Sequence, residues 1–316
     1  MNYQYHGTRW LKDGFSFPSL MEYITQKKQE LSEPLNVPEY AAAREWEKAA
    51  QISEKLSENP YLKRKMFHQS LRNMMQDFGE SKLLTYQENP FLYDICVFAV
   101  EYLMHGVPII FLYQQTPESG LLYSAAAAAY QEQVCLYVSE QFFRENGMIC
   151  EEELCYLIGH AVGHAQCHHA YIQMEAVEMT DGCEYSADRA GVLVCTARIL
   201  NKHPEYSVAK AAREAVRYSV GMLLKMDIGK QNGPGATDWS GFDYQALQEE
   251  MDSGFHGASK QQVSSTSYSY DRHRIRAMVY FCKSQLLYRC MGKSVPEEEE
   301  LYNEEQLAAL MDVLIY

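Results

Sequence analysis

Apolar positions along the chain recur mostly at helical spacing, punctuated by prolines and glycines. Ser19 to Ser32 reads as a helix opened by Pro18, with Pro34 and Pro38 beyond its end. From about Glu39 to Glu58, Ala41, Ala42, Ala43, Ala49 and Ala50 favour helix, and Asn59-Pro60 breaks the run. Leu62 to Phe78 is a third helical stretch. Many of these positions are polar, so residues 1–84 are expected to pack as a helical region on the rest, not to form a core of their own.

After Asn89-Pro90 the pattern becomes more apolar, and residues 85–316 are expected to form the main domain. Phe91 to His105 predicts a buried helix that ends at Gly106-Val107-Pro108. Ile109 to Tyr113 and Gln133 to Ser139 have strand length and composition. Leu121 to Tyr130, with its five alanines, fits either type. Glu151 starts another helix, with Glu151, Glu152 and Glu153 in the first turn, where carboxylates complement the helix dipole. Further helices are predicted over about Cys183–Leu200, Tyr206–Met226, Gln245–Asp252, Asp271–Met291 and Glu304–Ile315. Gly229 to Gly241, with Gly233-Pro234-Gly235, reads as a loop. The fold class is α+β, predominantly helical, with a small sheet next to the helix that begins at Glu151.

Composition narrows the functions open to such a fold. A formal charge of −14 disfavours nucleic acid as a partner, because no basic surface is available to displace counterions. It equally disfavours an anionic membrane surface. The most apolar stretch, Phe91 to Tyr113, contains Asp94, Glu101, His105 and Pro108, so no membrane span is expected. The start of the chain has no basic segment followed by an apolar one, so no signal peptide is expected. Nine scattered cysteines in apolar surroundings read as buried thiols, which points to a cytoplasmic location.

The chemistry concentrates between Cys155 and Asp188. His160 and His164 lie four apart on one helix and point the same way, one turn apart, so they can hold one metal ion. Glu184, on the next helix, is the natural third ligand. Asp188 lies four residues further on the same face, placed to accept a hydrogen bond from a ligand histidine and fix its tautomer. Two imidazoles and a carboxylate suit Zn2+, one per chain, with a fourth position left for water. The pattern is H-E-x-x-H with one departure: Ala161 occupies the position of the general-base glutamate. That carboxylate would take a proton from metal-bound water, which alanine cannot do.

His168 continues the histidine stripe by one turn and reads as a solvated or supporting residue; its neighbour His169 points elsewhere. A metzincin would need a histidine where Ala170 stands. Cys155, Cys167 and Cys183 match no zinc-ribbon spacing.

Glu151 to Ala170, followed by Glu184-Tyr185-Ser186-Ala187-Asp188, resembles the HtpX-like zinc metallopeptidases, the family that includes the CAAX prenyl endopeptidases. The resemblance extends over roughly residues 85–290. It includes the strand–strand–helix lead-in and Arg274-Ile275 near the start of a late helix. It implies a gluzincin fold and a zinc-dependent endopeptidase that hydrolyses peptide bonds through metal-activated water. The family's T-H-P turn is absent, and Tyr268 falls about where its histidine would stand. Tyr268, Tyr270 and His273 are therefore the candidates to steady an oxyanion. With Ala161 in place, the chain is expected to be an inactivated variant. The alternative is a natural pseudo-peptidase that binds zinc and peptide without cleaving, in a regulatory or scaffold role. A peptide substrate is expected to add as a strand along Gln133 to Ser139, where Val134, Leu136 and Val138 alternate with Cys135, Tyr137 and Ser139.

Overall fold

The structure is a computed structural model that describes residues 54, 56, 58–104, 109–116, 125–130, 133–139, 149–170, 181–232, 269–297 and 300–315. In chain order its elements are α1 (Pro60–Phe78), β1 (Ser81–Leu84), α2 (Pro90–Met104), β2 (Ile109–Gln115), β3 (Ala125–Tyr130), β4 (Gln133–Val138), α3 (Glu151–Gln166), α4 (Asp181–Lys202), α5 (Val208–Asn232), α6 (Ser269–Cys282), α7 (Gln285–Cys290) and α8 (Glu304–Ile315). The fold is α+β and predominantly helical, as expected. The helices predicted before residue 54 and over Gln245–Asp252 lie outside the described residues, and so does Tyr268.

Four strands form one mixed sheet in the order β1-β2-β4-β3. β1 and β2 are antiparallel, β2 and β4 parallel, and β3 and β4 antiparallel. β4 is therefore an interior strand. Val134 pairs with Ile110 on one side and Ala129 on the other, and Leu136 with Leu112 and Ala127. This corrects the expectation that a peptide adds along Gln133–Ser139, because both edges of that strand are already bonded. Val134, Leu136 and Val138 are fully buried in the main core. The opposite face is also covered: Tyr137 packs with Ala128 against Met74 and Phe78 of α1.

Other boundaries move for local reasons. The ambiguous alanine stretch is strand β3, where small side chains let helices lie against the sheet. Helix α5 runs through Gly229 to Asn232, beyond the expected start of the loop. The expected Asp271–Met291 helix is broken at Lys283-Ser284, where the backbone turns to bond with Tyr302.

The motif helix α3 sits at the centre, against α2, α4, α5 and β3. Its approach to α4 depends on glycine. A Cβ on Gly163 would lie 2.6 Å from the Ala190 Cβ, and one on Gly191 would lie 2.6 Å from the Tyr156 carbonyl oxygen. At the far end, Arg198 and Lys202 of α4 pair with Glu151, and Lys202 also pairs with Glu152. The acidic first turn thus anchors α4 as well as complementing the α3 dipole.

Gly191→Ala should destabilise the protein by about 1–3 kcal/mol, because backbone as well as a ring would have to move. Urea denaturation of the variant against the parent protein checks this; an unchanged midpoint would show that the two helices tolerate a wider spacing.

Candidate metal centre

The spacing of α3 and α4 brings His160, His164 and Glu184 together. Their ligating atoms all lie within 4.8 Å of one another. The two histidine Nε2 atoms are 3.0 Å apart, and the Glu184 oxygens lie 3.8 Å from His160 and 3.6 Å from His164. Metal–ligand bonds of about 2.0–2.2 Å in a tetrahedral site give donor separations of about 3.3–3.6 Å. The observed triangle brackets that range, so these residues fit a single metal ion, and the donor set suits zinc.

Asp188 holds the triangle in place. Its carboxylate is fully buried. Oδ1 accepts hydrogen bonds from Tyr156 Oη at 2.7 Å, His160 Nδ1 at 2.9 Å and an Arg274 terminal nitrogen at 2.6 Å; Oδ2 accepts from Arg274 Nε at 2.7 Å. Burial alone would push this carboxyl up. The Arg274 guanidinium and the hydrogen bonds from Arg274 and His160 outweigh burial and hold it well below the usual range. With a carboxylate facing Nδ1, His160 carries its proton there, which leaves the Nε2 lone pair for a metal. Arg274 also reaches Glu184, at 3.3 Å. One guanidinium therefore steadies both a ligand carboxylate and the group that orients a ligand histidine.

His164 is held from the other side. Its Nδ1 lies 2.8 Å from His169 Nδ1. The expectation that His169 points elsewhere is thus corrected. Cys167 caps the end of helix α3, its N–H bonding the Gly163 carbonyl, and His168 then adopts a left-handed backbone with φ +56°. That single turn swings the next residue back toward the helix. Burial, reinforced by neighbouring His164, keeps His169 uncharged. Burial and Lys63 push His168 down to about 4.

Ala161 and His164 line a cleft of about 280 Å³, together with His169, the Ala125–Ala129 stretch of β3, and Met66, Phe67 and Met74 of α1. Among the described residues the outer edge of β3 has no strand partner. His273 is exposed on α6, one residue before the buried Arg274. Consecutive helical positions face different directions, so its ring does not follow Arg274 toward Asp188.

Sequence reading missed the roles of Tyr156, His169 and Arg274. In the sequence Arg274 stands out only by its place in the resemblance, and Tyr156 only by its position one turn before His160. Among the described residues no helix is long and apolar enough to cross a membrane. All nine cysteines are free thiols. No family model, curated protein or solved structure matches the chain.

Two outcomes follow from these environments. Asp188→Asn strips the counter-charge from buried Arg274 and should cost roughly 3–5 kcal/mol of stability. It should also weaken zinc binding about 10–100-fold, as measured by chelator competition. The second outcome concerns acid. Unfolded His168 takes up a proton near 6.5, whereas the folded residue resists until about 4. Stability of the metal-free protein should therefore fall as pH drops through that window, with His168 contributing at most about 1.4 kcal/mol per pH unit. His168→Asn, which tolerates the left-handed backbone, should flatten the slope; an unchanged slope in thermal melts would assign it to other groups.

Proposed function

We propose that this chain carries the zinc site of a gluzincin-type metallopeptidase whose general base is missing, so that it binds zinc and an extended peptide without efficient cleavage. The observation that carries this reading is the convergence of His160, His164 and Glu184 beside a cleft that Ala161 also lines. The E-E-L lead-in, H-x-x-G-H and E-x-x-A-D pattern supports placing it with the HtpX-like peptidases. The free thiols favour a reducing compartment such as the cytoplasm.

Zinc held by the two imidazoles and the Glu184 carboxylate would supply a water of lowered pKa and polarise a peptide carbonyl. The protein's own contribution is positional. Asp188 and Arg274 fix the directions of His160 and Glu184. Among the described residues β3 has an edge without a strand partner next to His164, to which an extended chain can add through backbone hydrogen bonds. The alanine side chains of β3 leave room for the bulk of the peptide between α1 and α3. What is missing is a proton acceptor at position 161. The methyl group of Ala161 neither takes a proton from water nor delivers one to a leaving amine.

The retained network favours a chain that still holds metal, since Asp188, Arg274 and Tyr156 form a buried cluster around ligands that a merely decaying site would not need. Purified protein should contain about one zinc per chain, lost on replacing His160 or His164 by alanine. It should cleave a diverse peptide library at most at trace level, and Ala161→Glu should raise cleavage by at least about 10²–10⁴-fold. If the Ala161→Glu protein holds zinc and binds peptide yet cleaves nothing, the site serves binding alone. Absence of zinc in all forms would overturn the reading.

A further inference from the structure

We infer that His169 is a positioning residue of this metal site, and that metal binding exchanges the tautomers of His164 and His169 without net release of a proton. The inference rests on the zinc reading above and concerns His164, the ligand histidine whose Nδ1 faces another histidine where that of His160 faces a carboxylate.

His160 Nδ1 faces the Asp188 carboxylate at 2.9 Å, so its proton is on Nδ1 and its Nε2 is a bare acceptor. His164 Nε2 lies 3.0 Å from that acceptor. Without a cation, two lone pairs at this distance repel, so His164 must carry its proton on Nε2 and donate it to His160. Its Nδ1 is then an acceptor, and His169 Nδ1, which faces it at 2.8 Å, is the donor. The metal-free state is therefore a relay: His169 Nδ1–H to His164 Nδ1, His164 Nε2–H to His160 Nε2, His160 Nδ1–H to Asp188.

Metal binding needs both Nε2 lone pairs. The proton on His164 must leave Nε2 and reside on Nδ1, where it faces His169. His169 Nδ1 can accept it only if its own proton sits on Nε2. One proton changes sites on each ring, and the total on the pair is unchanged. His169 thus does for His164 what Asp188 does for His160, but as a neutral acceptor that adapts to either state. Its placement depends on the left-handed turn at His168, and its burial to 3% exposure fixes the ring. Its own atoms fall outside the three-residue ligand triangle, so it acts through His164.

The test uses full-length protein with ¹⁵N-labelled histidine, freed of metal and then titrated with Zn2+. Long-range ¹H–¹⁵N spectra should show His169 protonated at Nδ1 before zinc and at Nε2 after it, with His164 changing in the opposite sense. Zinc affinity, measured by chelator competition, should fall about 10–100-fold in His169→Ala. His169→Gln, which keeps an acceptor, should recover much of that loss. A purely structural role would instead lower the metal-free melting temperature of both variants with no affinity difference between them. The proposal is overturned if His169 keeps its Nδ1 proton on zinc loading, or if His169→Ala binds zinc as tightly as the parent. It is also overturned if the His169 ring nitrogens shift as direct ligands. Should His169→Ala fail to fold, the tautomer spectra of the unaltered protein decide. A protein that takes up no zinc at the His160–His164 pair refutes the metal reading itself, a result separate from zinc uptake with unchanged tautomers.

Discussion

A single buried carboxylate, Asp188, is the constraint on which the rest of this structure depends. An isolated charge in such a place is expensive, and it persists only because donors from two other helices converge on it. Tyr156 and His160 come from α3 and Arg274 from α6, while Asp188 itself belongs to α4. The electrostatic requirement of one side chain therefore ties three helices together. It also fixes which nitrogen of His160 is bare. Structural and chemical roles cannot be separated here, because the bond that satisfies the buried charge is the bond that aims the ligand.

The second constraint is steric. Ligands on α3 and α4 meet because glycines face the opposite helix at Gly159, Gly163 and Gly191. Any larger residue at Gly191 would press on the Tyr156 backbone and widen the spacing that sets the donor triangle. The same crossing leaves the other side of α3 toward β3, where alanines open a cleft beneath α1. The candidate metal ligands and the cleft are thus consequences of how closely two helices pack and of which strand lies outermost among the described residues.

The parts of this arrangement that depend on local periodicity were legible in the sequence. His160, His164, Glu184 and Asp188 were found because helical spacing puts residues four apart on one face, and α2, β2, β4 and α8 followed from apolar runs with clear stops. What depends on long-range order was not legible. Nothing local tells that β3 crosses to the far side of β4, so the sequence pattern alone does not distinguish this interior strand from a receptive edge. Strand β1, Ser81–Leu84, has only one buried side chain and gives no alternating signal. His169 was misdirected because a helical wheel cannot be continued past the left-handed residue His168. Arg274 lies 86 residues from Asp188, and no spacing rule connects them.

The central claim is that His160, His164 and Glu184 form one metal site. Anomalous diffraction at the zinc absorption edge, from crystals of protein purified with stoichiometric zinc, tests it most directly. The account predicts one peak inside the triangle of His160 Nε2, His164 Nε2 and the Glu184 carboxylate, at about 2.0–2.2 Å from each. Zinc found on cysteine thiolates or elsewhere, with that triangle empty, would contradict it.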